Sequence, residues 1–139
     1  MDFIEEYKYI IIPITIWGVI QFSKVITDFI KNKRFNIKRF MGAGGMPSSH
    51  SAVVTSLATL IAKHEGIDSA MFGIAFILAC VVMYDAAGIR RAAGRHATLL
   101  NKIMENQKMK DMKLAEVLGH TPTQVLVGAI IGIIVGAIF

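Results

Sequence analysis

Apolar residues in this chain gather into four blocks, at 9–30, 51–62, 70–84 and 125–139, and no other feature limits its fold as much. The uninterrupted core of each block is shorter than the roughly 20 residues that cross a hydrocarbon layer, so flanking residues must complete the helices or neighbouring helices must shelter them. Apolar residues fill 54% of 139 positions, more than a soluble domain of this size needs for one core. The expected fold is therefore all-α, an integral membrane helical bundle. It is expected to hold about four transmembrane helices plus a cytoplasmic amphipathic helix, in a single membrane domain over 1–139.

The first block is expected to stay in the protein, because acids precede it (Asp2, Glu5, Glu6) and no small-residue cleavage site follows. Cys80 is the single cysteine and lies inside the third block, so it can form no internal disulfide and reads as a small packing residue.

Charge is distributed unevenly. Lys31, Lys33, Arg34, Lys38 and Arg39 follow the first block, while Arg90, Arg91, Arg95, Lys102, Lys108, Lys110 and Lys113 follow the third. In a four-helix protein both stretches lie on one side of the membrane, and the positive-inside rule assigns that side to the cytoplasm, leaving both termini outside. The expected location is the bacterial plasma membrane. Most of these cations need do no more than set orientation and meet anionic headgroups, at about 1 kcal/mol each. Nucleic acid is not an expected partner, since no aromatic residues interleave with the charges to stack on bases.

Residues 44–52, GGMPSSHSA, join a glycine turn to a proline, two serines and a histidine. Pro47 and Ser48 predict a helix start near 48–50. Free amides of such a start, beside glycines, also make an anion site. Further on, Leu99, Leu100, Ile103 and Met104 recur at helical spacing and predict the amphipathic helix on the membrane surface. Gly128, Gly132 and Gly136 form one small face of the last helix, open to a helix of the same chain or of a second copy, and a homo-oligomer through them is expected.

The chain has four histidines, at 50, 64, 96 and 120, without HExxH, CxxC or a carboxylate cluster at ligand spacing, so no metal and no cofactor are expected. His50 and His120 each open an expected helix on the same side of the membrane, in PSSH and GHTPTQ. Arg90 and Arg91 close the third helix at that level, and Lys24, a turn or two inside the first, can extend toward it. Two neutral-pH proton carriers among cations suit a phosphate ester: cations neutralise the oxygens, one histidine attacks and the other protonates the leaving alcohol.

PSSH, an apolar helix, an arginine and then LGHTPTQVLVGAIIG resemble the second and third signature motifs of the type 2 phosphatidic acid phosphatase superfamily, to which the vanadium-dependent haloperoxidases are related. GGMPSSHSA, DAAGIRRAAGR and LGHTP together look still more like its small divergent membrane branch, from about Gln21 to the C-terminus. The resemblance implies a metal-independent phosphatase with a phosphohistidine intermediate. Position by position, His120 matches the nucleophile, His50 the general acid, Ser48 and Ser49 the phosphate-contacting pair, and Arg90 or Arg91 the arginine of the third motif. Lys24 and Arg39 are the candidates for the first motif.

The chain departs from that pattern in three ways. Leu114 stands six residues before His120, where the family has arginine, and the matching arginine lies upstream of a basic insertion. Gln124 stands where the family's aspartate orients the imidazole; an amide four residues on can hold the ring but cannot stabilise an imidazolium. Asp85 could substitute if the fold brings it to His120, or could pair with a nearby arginine. The chain also has fewer helices than a conventional member. His96, six residues after Arg90, fits the family spacing but lacks the proline and glycine-rich helix around His120, and reads as a surface residue. Three functions follow: a lipid phosphatase acting on a phosphomonoester or diphosphate, a non-catalytic protein binding or transporting a lipid phosphate, and an assembly subunit using the glycine face.

Overall fold

Every apolar block becomes a helix in the computed structural model, which describes residues 3–33, 40, 44–107, 113–116 and 118–139. A short α1 (Phe3–Glu6) leads into α2 (Lys8–Asn32), followed by α3 (Ser49–Glu65), α4 (Ala70–Ala87), α5 (Ile89–Asn106) and α6 (Pro122–Ile138). The described residues hold helices and turns and no strand.

Local chemistry sets the helix starts. Ser48 caps α3 by accepting from the amide of Ser51, and Ser69 caps α4 by accepting from Phe72. Thr121 and Gln124 form a reciprocal capping box on α6, with Pro122 at its first position, where a missing N–H costs nothing.

The centre of the bundle is α3, which packs most extensively on α6 and then on α4 and α2. Small residues make this possible. Gly128, Gly132 and Gly136 of α6 lie on α3, where added Cβ atoms would collide with the Ser48 carbonyl, with Thr55 and the Ala52 carbonyl, and with the Ser56 carbonyl respectively. Such close backbone approach between parallel helices is what a small-residue face provides. The glycine face is thus covered by α3 of the same chain, the first of the two partners that the sequence left open for Gly128, Gly132 and Gly136. Thr55 seals the contact, with Oγ1 3.1 Å from the Ala129 carbonyl.

Two segments, Lys8–Ile30 and Ala70–Asn106, are long and apolar enough to cross a membrane, and Pro122–Ile138 is a shorter apolar helix. In α4 only Ala75, Ala79 and Ala86 are buried, while Ile74, Ile77 and Val81 are at least 60% exposed. A soluble protein's core helix would hide such residues, whereas a lipid-facing helix need not. The amphipathic helix is α5. It begins at Ile89, and leaves Ile89, Leu99, Leu100 and Ile103 exposed. One boundary differs from expectation: the third apolar helix ends at Ala87, and Arg90 and Arg91 sit in the first turn of α5 rather than closing α4.

Helices α2 and α4 run opposite to α3 and α6, so the bundle has two chemically distinct ends. At one, Lys8 Nζ meets Glu5 and His64 Nδ1, His64 Nε2 meets the Phe139 carbonyl, and Lys63 donates to the Ala137 carbonyl. At the other lie the starts of α3 and α6 with the Gly88 junction between α4 and α5.

Candidate functional site

Four elements converge at that second end. The start of α3 carries His50 and the turn before α6 carries His120, with ring centroids 6.1 Å apart at an interplanar angle of 61°. The first turn of α5 supplies Arg90, whose Nη1 lies 3.4 Å from His50 Nε2. From α2 comes Lys24, buried two turns before the helix end and donating to Gln21 Oε1 at 3.0 Å.

Backbone bonds hold the two histidines in place. The His120 amide donates to the Ala86 carbonyl at 2.9 Å, and the Ser48 amide donates to the Gln124 carbonyl at 3.1 Å. Gly119, with φ +77°, allows the approach to α5, since a Cβ there would strike the backbone of Arg90 and Arg91.

His120 is buried, and its Nδ1 has two neighbours: the Gly45 carbonyl at 3.1 Å and Gln124 Oε1 at 3.3 Å. Among the described residues, His50 Nδ1 is the buried side-chain polar atom without a hydrogen-bond partner. Both histidines precede the apolar runs of their helices. Burial first, then the Lys24 charge, pushes the His120 imidazole down from its ordinary range. Its ring therefore favours the neutral form, and an anion placed among Arg90, Lys24 and the two rings would oppose that preference.

The remaining candidates are placed as follows. Asp85 grips Arg90, with Oδ2 2.6 Å from Nε, so its carboxylate serves the arginine and not the ring of His120. Ser48 is fully buried, and its Oγ accepts from both the amide and the hydroxyl of Ser51 at the helix cap. Ser49 is buried beside it. Arg91 is exposed next to Arg90, and His96 is exposed on α5 away from the histidine pair. Arg39, with Arg34 and Lys38, lies outside the described residues. Leu114 belongs to a strap on α5, held by Asn101, whose Oδ1 accepts from the Leu114 amide at 2.9 Å. Among the described residues no group of three His, Cys, Asp or Glu could hold a metal ion.

Sequence reading missed Gly45, Gly119 and Gln21. A signal was available for the first two, because glycines flank both histidine motifs where the chain turns. Gln21 carried none, being one of several polar residues in the second half of its helix.

Residues 6–135 match the family described as the Divergent PAP2 family. The chain belongs to that family. It is similar to the membrane protein YuiD of Bacillus subtilis (strain 168), at 39% identity over 129 aligned residues and 82% coverage of each chain. No solved structure matches. The family relation and the apolar helices together make this a membrane protein. His50, Arg90 and His120 all lie inside the matched range.

Proposed function

We infer that the protein hydrolyses a phosphomonoester or diphosphate carried by a lipid, through a phosphohistidine on His120. The observation that carries this reading is the pairing of His50 and His120 rings 6.1 Å apart, with Arg90 at 3.4 Å from the first. In the first step an imidazole nitrogen of His120 attacks phosphorus, the bond from phosphorus to the lipid oxygen breaks, and His50 gives its proton to the leaving alkoxide. His50 must hold that proton before the leaving oxygen departs. The bound phosphate dianion favours this, because it sets negative charge beside a ring whose charged neighbour is the Arg90 guanidinium. In the second step His50 takes a proton from water, whose oxygen attacks phosphorus and breaks the P–N bond, releasing phosphate. Arg90 and Lys24 balance charge on the equatorial oxygens throughout.

The membrane arrangement in this reading has four spanning helices, α2, α3, α4 and α6, with both termini outside and the site at the cytoplasmic surface. Exposed Arg91, Arg95 and Lys102 on α5 and Lys113 beyond it support that orientation. A second reading, a lipid-phosphate binding or transport protein, is favoured by Gln124, since an amide cannot offset an imidazolium as a carboxylate does.

Phosphate release by the purified protein in detergent, from a panel of lipid phosphates and diphosphates, tests the choice. Release that disappears in a folded His120→Ala variant is the expected result. Saturable binding of those lipids without release, retained in His120→Ala and weakened in Arg90→Ala, would establish the second reading instead.

A further inference from the structure

We propose that the carbonyl of Gly45 is the positioning group that holds His120 in its Nδ1–H tautomer, in place of a carboxylate. The proposal rests on the phosphate-transfer reading above and assigns the attacking atom within it.

The argument starts from the acceptors. Nδ1 of His120 lies 3.1 Å from the Gly45 carbonyl oxygen and 3.3 Å from Gln124 Oε1. The amide of Gln124 is oriented by the capping box, in which Oε1 accepts from the Thr121 N–H at 3.0 Å, so an oxygen faces the ring. A ring nitrogen between two oxygens that can only accept must carry the proton, which leaves the lone pair of a neutral imidazole on Nε2. Nε2 is then the nucleophilic atom.

The two acceptors are unequal. Gln124 Oε1 is divided between the Thr121 amide and the ring, whereas the Gly45 carbonyl is nearer the ring. That carbonyl is aimed by two successive residues with positive φ, Gly44 at 86° and Gly45 at 83°, a conformation that glycine adopts without a Cβ penalty. The same segment is tied to α6 again by the Ser48 amide on the Gln124 carbonyl, and two residues later it carries His50. One segment, 44–50, therefore both supplies the second histidine and orients the first. An orienting carboxylate on the nucleophile's own helix would not link the two.

The tautomer is read directly. Full-length protein labelled with 15N-histidine, in detergent micelles, gives long-range proton–nitrogen correlations for each ring, and a His120→Ala sample assigns the His120 signals. Wild type is expected in the Nδ1–H form at neutral pH. Gln124→Leu is expected to keep that form, since Gly45 remains, and Gly45→Ala combined with Gln124→Leu is expected to lose it. An Nε2–H ring in wild type, or loss of the Nδ1–H form in Gln124→Leu alone, overturns the proposal. Should the double variant not fold, the single variant still decides. Because the ring is read without substrate, absence of phosphate release would defeat the phosphatase reading and leave this result standing.

Discussion

Gly128 of α6 receives the carbonyl of Ser48 so closely that a Cβ at position 128 would collide with it. The contact sets the depth of the α3 start relative to α6 and thereby the distance between the two histidines, which follow Ser48 and precede Pro122. One absent methyl group thus links bundle packing to site geometry.

Substitutions on that face are expected to separate from those elsewhere. Gly132→Ala would force a methyl against Thr55 and the Ala52 carbonyl, and overpacking of this kind costs about 1–3 kcal/mol. Gly18→Ala meets nothing within 4 Å and should be neutral or gain up to about 1 kcal/mol from helix propensity. Thermal unfolding in detergent compares the pair; equal effects would show that the glycine face does not govern packing.

Ser48→Ala removes the cap of α3 and the acceptor of the buried Ser51 hydroxyl. A lost cap costs about 1 kcal/mol, and a newly orphaned buried hydroxyl about 1–3 kcal/mol more. The expected loss in unfolding experiments therefore exceeds that of Thr121→Ala, whose side chain is exposed at the start of α6.

Asp85→Asn should barely alter stability. The pair with Arg90 is 30% exposed on the carboxylate side and 48% on the arginine side, and exposed pairs contribute at most about 1 kcal/mol. Freed from Asp85, Arg90 is available to an anion near His50, so affinity for inorganic phosphate should rise. Calorimetry in detergent measures it, and unchanged or weaker binding would place Arg90 outside the anion site.

Acid should destabilise the fold through the ring of His120. Burial lowers its folded value below the ordinary 6.5 of the unfolded chain. Its contribution is therefore complete above about pH 6.5 and is lost as pH falls through the lower folded value. Melting temperature is expected to drop between pH 7.5 and pH 5 in wild type by more than in His120→Asn. Parallel profiles for the two would contradict the assignment.

Much of this was legible in the chain itself. The helix start at Ser48 followed from its capping residue because a cap is satisfied within four positions. The apolar blocks became α2, α3, α4 and α6, and the amphipathic stretch became α5, because burial patterns repeat with the helical period. The histidines at two such starts, with arginine between them, pointed to one end of one bundle.

The partners of those residues were not legible, because contacts between segments depend on packing and not on spacing. His120 meets Gly45 across 75 positions, Thr55 meets Ala129 across 74, and His50 meets Arg90 across 40. The sequence alone determined the helices, the membrane as their solvent and the residue types able to handle phosphate. Only the tertiary structure decided that the glycine face is closed by α3, that Asp85 holds Arg90, and that a peptide carbonyl faces the ring of His120. The first turns on close clearance between helix backbones and the other two on how neighbouring elements are set against each other, which no local pattern encodes.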